Sequence, residues 1–152
     1  MNAAAPTLVS FAVTRECNLK CKHCYSQSVD SPHPRELNTA EAKRLIGQIA
    51  ESGAHLIILD GGEPLMRPDV FDLVSHSRSV GLTTVMGTSG TLITTEVAAK
   101  LVEAGIQALE SGSRGRPGQS SANKDACSHP SADARRAEMG IRVDLVEKET
   151  EQ

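Results

Sequence analysis

Apolar positions recur along this chain in two rhythms that alternate. From Thr7 to Thr14, Leu8, Val9, Phe11 and Val13 are β-favouring, and the segment predicts a strand. Asn38 then reads as an N-cap with Glu41 three residues on, close to a capping box. Ala42, Leu45, Ile46 and Ile49 follow at helical spacing, and Gly53 stops the helix. His55 to Leu59 is a short, almost wholly apolar run, as in a buried parallel strand. Pro68 and Asp69 suit the first turn of a second helix, with Val70, Phe71 and Val74 on its buried face and Gly81 at its end. Leu82 to Met86 predicts the next strand. Glu96 to Ala104 predicts a third helix, with Val97, Leu101 and Ala104 inward and Gly105 closing it. Ile106 to Leu109 begins a fourth strand.

Strands that alternate with helices argue for an α/β fold with a parallel sheet and right-handed crossovers. Functional loops of such folds sit at the carboxyl ends of the strands. Two polar segments here directly follow strands, one after Thr14 and one at Asp60 to Pro64, so both are expected at the same rim. After Leu109 the rhythm stops. From Glu110 to Glu138 there is no Val, Ile, Leu, Met, Phe or Tyr. Such a segment buries too little apolar surface to offset its ordering entropy. The expected division is a partial domain over residues 1–110 and a low-complexity, disordered tail over 111–152, with a stray strand at Ile141 to Val146. The abrupt loss of periodicity also suggests a tail read from a shifted frame, or a truncation of a longer gene.

Composition changes this picture little. The chain has 152 residues, and a net charge of -3 gives no reason to expect nucleic-acid binding. Its only aromatics are Phe11, Tyr25 and Phe71, so the core must be aliphatic. The longest apolar stretch, Ala3 to Val13, is interrupted by Pro6, Thr7 and Ser10 and is too short to span a bilayer. It also lacks a basic leading region and a cleavage site, which predicts a cytoplasmic, reducing setting. There, clustered cysteines read as metal ligands before disulfides.

Cys17, Cys21 and Cys24 lie on one short loop after the first strand. Three thiolates can each hold one iron of a cubane cluster, leaving a fourth iron open to a chelator such as a methionine amino nitrogen and carboxylate. The competing reading is a zinc knot completed by His23 or a distant ligand. His23 either ligates metal or, lying next to Cys24 and poorly placed to share its metal, sets its backbone beside an adenine. Tyr25 is expected to pack around a cofactor. Cys127 lies in the polar tail with only His129 nearby and reads as a free thiol without a role.

Gly61-Gly62-Glu63-Pro64 follows the apolar strand. Two glycines without Cβ let a backbone approach a ligand closely. Glu63 adds a charge suited to an ammonium group, and Pro64 stiffens the exit. A tight strand-to-helix turn is the plainer reading. Ser89, within Thr88-Ser89-Gly90 at the end of the third strand, is either a polar turn or a hydrogen-bonding cofactor contact. Asp60 and Arg67 are read as structural or solvated, although both could line the same site.

Taken in order, VTRECNLKCKHCYS, ILDGGEPLMRPDVFDL and VMGTSGTLIT resemble the radical S-adenosylmethionine (radical SAM) superfamily over about residues 7 to 109. The resemblance implies a partial (β/α)6 barrel, here cut off after about three and a half βα units. It implies a 4Fe-4S cluster on Cys17, Cys21 and Cys24, and S-adenosylmethionine held partly by the loop Gly61 to Pro64, with His23, Tyr25 and Ser89 beside it. The implied chemistry is reductive cleavage to a 5'-deoxyadenosyl radical that takes a substrate hydrogen, fed by an electron donor such as ferredoxin or flavodoxin. The stretch PRELNTAEAKRLIGQIAESG is similar to members that modify tetrapyrroles or peptides, so a tetrapyrrole or peptide substrate is expected. Two alternatives stand beside this reading: a non-catalytic zinc or iron–sulfur module, and an inactive fragment.

Overall fold

The structure, a computed structural model, describes residues 6–21, 24 and 26–110. Four strands and three helices follow one another: β1 (Leu8–Thr14), α1 (Thr39–Glu51), β2 (Leu56–Gly61), α2 (Val70–Ser79), β3 (Thr83–Gly87), α3 (Thr95–Ala104) and β4 (Ala108–Glu110). A 3-10 turn, Pro64–Met66, joins β2 to α2. The sheet runs β1-β2-β3-β4 in space, and each pair is parallel. This is the expected α/β order. The expected tail, with Ile141 to Val146, Cys127 and His129, lies outside the described residues.

The helix ends have local causes. Asn38 accepts from the Glu41 N–H at 3.0 Å, and Glu41 returns the bond to the Asn38 N–H at 2.9 Å. This reciprocal pair satisfies two donors that α1 would otherwise leave open. Asp69 behaves differently. It starts α2 without a side-chain cap, because its carboxylate is held by Arg67 instead. Thr94 caps α3 through Val97, and Gly105 ends α3 at φ 94°, the left-handed region that suits glycine.

The core is aliphatic, as the composition required. Ile57, Leu59, Met86 and Leu109 of the sheet pack with Ala42 and Ile46 of α1, Leu73 and Val74 of α2, and Ala98 and Leu101 of α3. Two buried-face expectations change: Leu73 takes the place of Phe71 on α2, and Ala98 that of Val97 on α3. Both displaced side chains still pack at the core margin.

The run His55 to Leu59 reads as a strand buried throughout, but β2 is buried only at alternate positions. Ile57 and Leu59 face the helices, whereas Leu56 and Ile58 remain half-buried. The reason is one-sided cover, since the described helices pack on a single face of the sheet. On the other face, Leu8, Ser10 and Ala12 of β1 are exposed. Register holds from Leu8 opposite Leu56 to Ala12 opposite Asp60, then slips so that Thr14 meets Gly61. That bulge ends the ladder where the first polar loop begins.

Candidate cofactor site

Three loops leave the carboxyl ends of β1, β2 and β3, and hydrogen bonds join them. The first carries the cysteines. Cys17 N–H donates to the Val29 carbonyl at 2.9 Å, and Val29 N–H donates to the Arg15 carbonyl at 2.9 Å. The loop therefore leaves and returns beside the same short bridge. Cys24 N–H donates to the Cys21 carbonyl at 3.1 Å, which turns the chain between those two cysteines.

Donors also point at sulfur. Leu19 N–H reaches Cys17 Sγ at 3.4 Å, while the Ser28 N–H and hydroxyl reach Cys24 Sγ at 3.4 and 3.0 Å. The Ser28 hydroxyl, followed by its backbone N–H, holds the Cys24 thiol below its ordinary pKa range. Donors to sulfur stabilise thiolate, the form that binds iron, so the donor chemistry of this loop suits a cluster. Among the described residues no three His, Cys, Asp or Glu side chains converge as a ready metal cage. His23 and Tyr25 lie outside the described residues.

At Gly61 and Gly62 the close approach comes from backbone of the first loop. A Cβ on Gly61, whose φ is 120°, would stand 2.2 Å from the Thr14 carbonyl oxygen, and one on Gly62 would stand 2.1 Å from that of Glu16. Both glycines are required because two loops press together here. Gly62 N–H donates to the Thr14 carbonyl and Glu63 N–H to the Glu16 carbonyl, each at 2.8 Å. Ser26, two residues beyond Cys24, donates its hydroxyl to the Gly61 carbonyl. Pro64 is buried and begins the 3-10 turn.

Glu63 is fully buried. Its Oε1 accepts from the Thr88 hydroxyl at 2.7 Å and the Leu65 N–H at 3.3 Å. Its Oε2 accepts from the Ser89 N–H at 2.8 Å and the Ser89 hydroxyl at 2.7 Å. A carboxylate offers about four acceptor positions, and four donors take them. No ion pair among the described residues includes Glu63. Four neutral donors thus replace a counter-ion, and the carboxylate binds the second loop to the third.

Ser89 consequently faces Glu63. Its hydroxyl also lies 3.0 Å from the Thr91 hydroxyl, which accepts from Asn18 Nδ2 at 2.9 Å. Thr88, Thr91 and Asn18 were missed in the sequence. The available signal was a run of hydroxyls after a strand, which acquires meaning only once β3 is known to lie beside β2.

Arg67 and Asp60 are structural here. Arg67 is 8% exposed and donates to the carbonyls of Val13 at 2.7 Å and Leu37 at 2.9 Å. It also grips Asp69 through two bonds of 2.6 and 3.0 Å. That grip is the main cause holding the Asp69 carboxyl below its usual range. Burial pushes Glu36 up, but the N–H groups of Arg15 and His33 and the Thr14 hydroxyl pull it down further, and its pKa ends lowered. Asp60 accepts from the Ser10 hydroxyl at 2.6 Å, across the two neighbouring strands.

A parallel sheet with a cysteine loop, a glycine loop and a hydroxyl loop stitched along one rim defines an α/β domain with its candidate site at the strand ends. Comparison with known proteins agrees, for the model of the radical SAM superfamily matches residues 11–112. The chain belongs to that superfamily. It is 46% identical over 105 residues to the AdoMet-dependent heme synthase of Methanosarcina barkeri (strain Fusaro / DSM 804), covering 69% of this chain and 30% of that protein. Against the PqqA peptide cyclase of Bradyrhizobium diazoefficiens it is 36% identical over 101 residues, covering 66% and 27%. The crystal structure of methylornithine synthase shares the fold, with a TM-score of 0.64 at 21% identity over 90% of this chain and 42% of that one. The chain therefore spans less than a third of the curated relatives it matches here. No helix among the described residues is long and apolar enough to cross a membrane.

Proposed function

We propose that this chain is the cofactor-binding part of a radical SAM enzyme. The observation that carries the reading is the joining of three strand-end loops by Gly62 to Thr14, Glu63 to Glu16 and Glu63 to Ser89. Cys17, Cys21 and Cys24 hold the 4Fe-4S cluster, and the Ser28 donors at Cys24 favour its thiolate form. The backbone of Gly61 to Pro64 lines the S-adenosylmethionine site, with His23, Tyr25 and Ser89 around it. Glu63 serves that site by fixing the loop's shape. A reduced cluster held by these cysteines would supply the one electron that breaks a C–S bond of the S-adenosylmethionine sulfonium. The protein's part is to orient both partners and exclude water.

The haem synthase and peptide cyclase relatives support a tetrapyrrole or peptide as the substrate of the whole enzyme. Ferredoxin or flavodoxin fits as electron donor, and the reducing cytoplasm as the setting. Anaerobic reconstitution of the chain tests the reading. We expect stoichiometric iron and sulfide, a broad visible absorbance, and release of 5'-deoxyadenosine on reduction with S-adenosylmethionine. A colourless, zinc-loaded protein would overturn it. A cluster without 5'-deoxyadenosine would restrict the chain to the binding half of the reaction.

A further inference from the structure

The polar contacts around Glu63 have a direction that bond chemistry fixes. Ser89 has one hydroxyl proton, and its 2.7 Å contact with the Glu63 carboxylate requires it there, because an ionised carboxylate only accepts. Ser89 Oγ must therefore accept from the Thr91 hydroxyl across 3.0 Å. Thr91 has then no proton left for Asn18, so Asn18 must present its amide N–H, as the 2.9 Å contact from Nδ2 requires. The result is one chain of donors, Asn18 to Thr91 to Ser89 to Glu63, every proton pointing at a buried charge. Such chains polarise along their length and strengthen toward the charged end. Its outer end is the residue beside Cys17, and its inner end lies in the Gly61 to Pro64 loop.

We propose that Thr91 and Asn18 are positioning residues that fix the Asn18 side of the cysteine loop, beside Cys17, against the Gly61 to Pro64 loop through this relay. The inference rests on the radical SAM reading, which gives the two loops a shared ligand. The loops also meet directly, through Gly62 N–H to Thr14, Glu63 N–H to Glu16 and Ser26 to Gly61, but those bonds flank the cysteines rather than reach the residue beside Cys17. Thr91 is the central link of the relay, because Glu63 and Ser89 hold each other by two bonds without it, whereas Asn18 reaches them only through Thr91. Asn18 is exposed, so water partly replaces its bond and its share is smaller.

The test uses the full chain, reconstituted anaerobically. S-adenosylmethionine is titrated while the electron paramagnetic resonance signal of the reduced cluster is followed. Thr91→Val keeps the shape and removes both hydroxyl contacts. It should weaken S-adenosylmethionine binding about fivefold, the equivalent of one neutral hydrogen bond. Iron and sulfide content and the melting temperature should match the parent chain. Thr91→Ser should restore binding to within about twofold. Asn18→Ala added to Thr91→Val should cost nothing more, since the two residues act in series.

Parental affinity in Thr91→Val overturns the relay, as do losses that multiply in the double variant. A fall in cluster content or melting temperature together with affinity also overturns it, because Thr91 would then be merely structural. If the parent chain takes up no cluster, or its signal ignores S-adenosylmethionine, the proposed function fails and the relay with it. If only the variant series departs from expectation, the relay alone fails.

Discussion

Two acidic residues, six positions apart, tie this fold together by different means. Asp69 is gripped by the Arg67 guanidinium and keeps some contact with water. Glu63 is fully buried, has four neutral donors and belongs to no ion pair among the described residues. The Arg67–Asp69 junction holds the start of α2 against the end of β1 and the approach to α1. The Glu63 junction holds the two loops that follow β2 and β3. The guanidinium meets Asp69 as a two-bonded fork between neighbours in sequence, whereas Glu63 gathers donors from another loop onto both its oxygens. The difference teaches that charge pairing holds the scaffold, while dense neutral hydrogen bonding is kept for the rim where geometry matters.

The sharpest way to break the comparison is Gly62→Ala. The added methyl group would meet the Glu16 carbonyl and Arg15 backbone, which cannot swing aside as a side chain would. We expect a loss of about 3 kcal/mol or more in urea unfolding. A cost below about 1 kcal/mol would mean that the loops separate easily and that the Glu63 junction is not rigid.

Glu63→Gln and Asp69→Asn compare the two ties directly. Glutamine at 63 turns one acceptor into a donor facing the Ser89 N–H and hydroxyl, which should cost about 2 kcal/mol. Asparagine at 69 leaves Arg67 bonded to Val13 and Leu37, and the partly exposed pair should cost about 1 kcal/mol. The reverse order in chemical denaturation would contradict the contrast drawn here.

The smallest effect is set by pH. Asp69 and Glu36 both have folded pKa values below their ordinary ones. Stability from such groups is present above the unfolded value, about 4, and is lost as pH falls through the depressed folded value. The melting temperature should be nearly level from pH about 7 to about 5 and fall below about 4. Asp69→Asn should remove part of that fall. A decline unchanged in the variant would assign the acid sensitivity elsewhere.

The sequence made local features legible. Asn38 and Glu41 announced their capping box, and the alternation of strands with helices announced the parallel sheet. Two motif loops, the cysteine loop and Asp60 to Pro64, are legible as sharing one rim because each follows a strand. Features that depend on which strand ends are neighbours were not legible. That Thr14 and Glu16 backbone stands against the two glycines is visible only once β1 lies beside β2. That Thr88 and Ser89 reach Glu63 is visible only once β3 lies there too. Half-burial of Leu56 and Ile58 was hidden for a related reason, since an apolar run does not say how many faces are covered.

The slip between Ala12 and Thr14 leaves Val13 and Thr14 buried in succession, where the rest of β1 alternates. Up to Ala12, facing is decided by odd and even position. One residue inserted or deleted before Ala12 would therefore do more than move the cysteines along by about 3 Å. It would exchange the two faces of that stretch, putting Val9 and Phe11 where Leu8, Ser10 and Ala12 now face. The bulge ends that alternation, so the residues from Val13 to Cys17 carry no such phase.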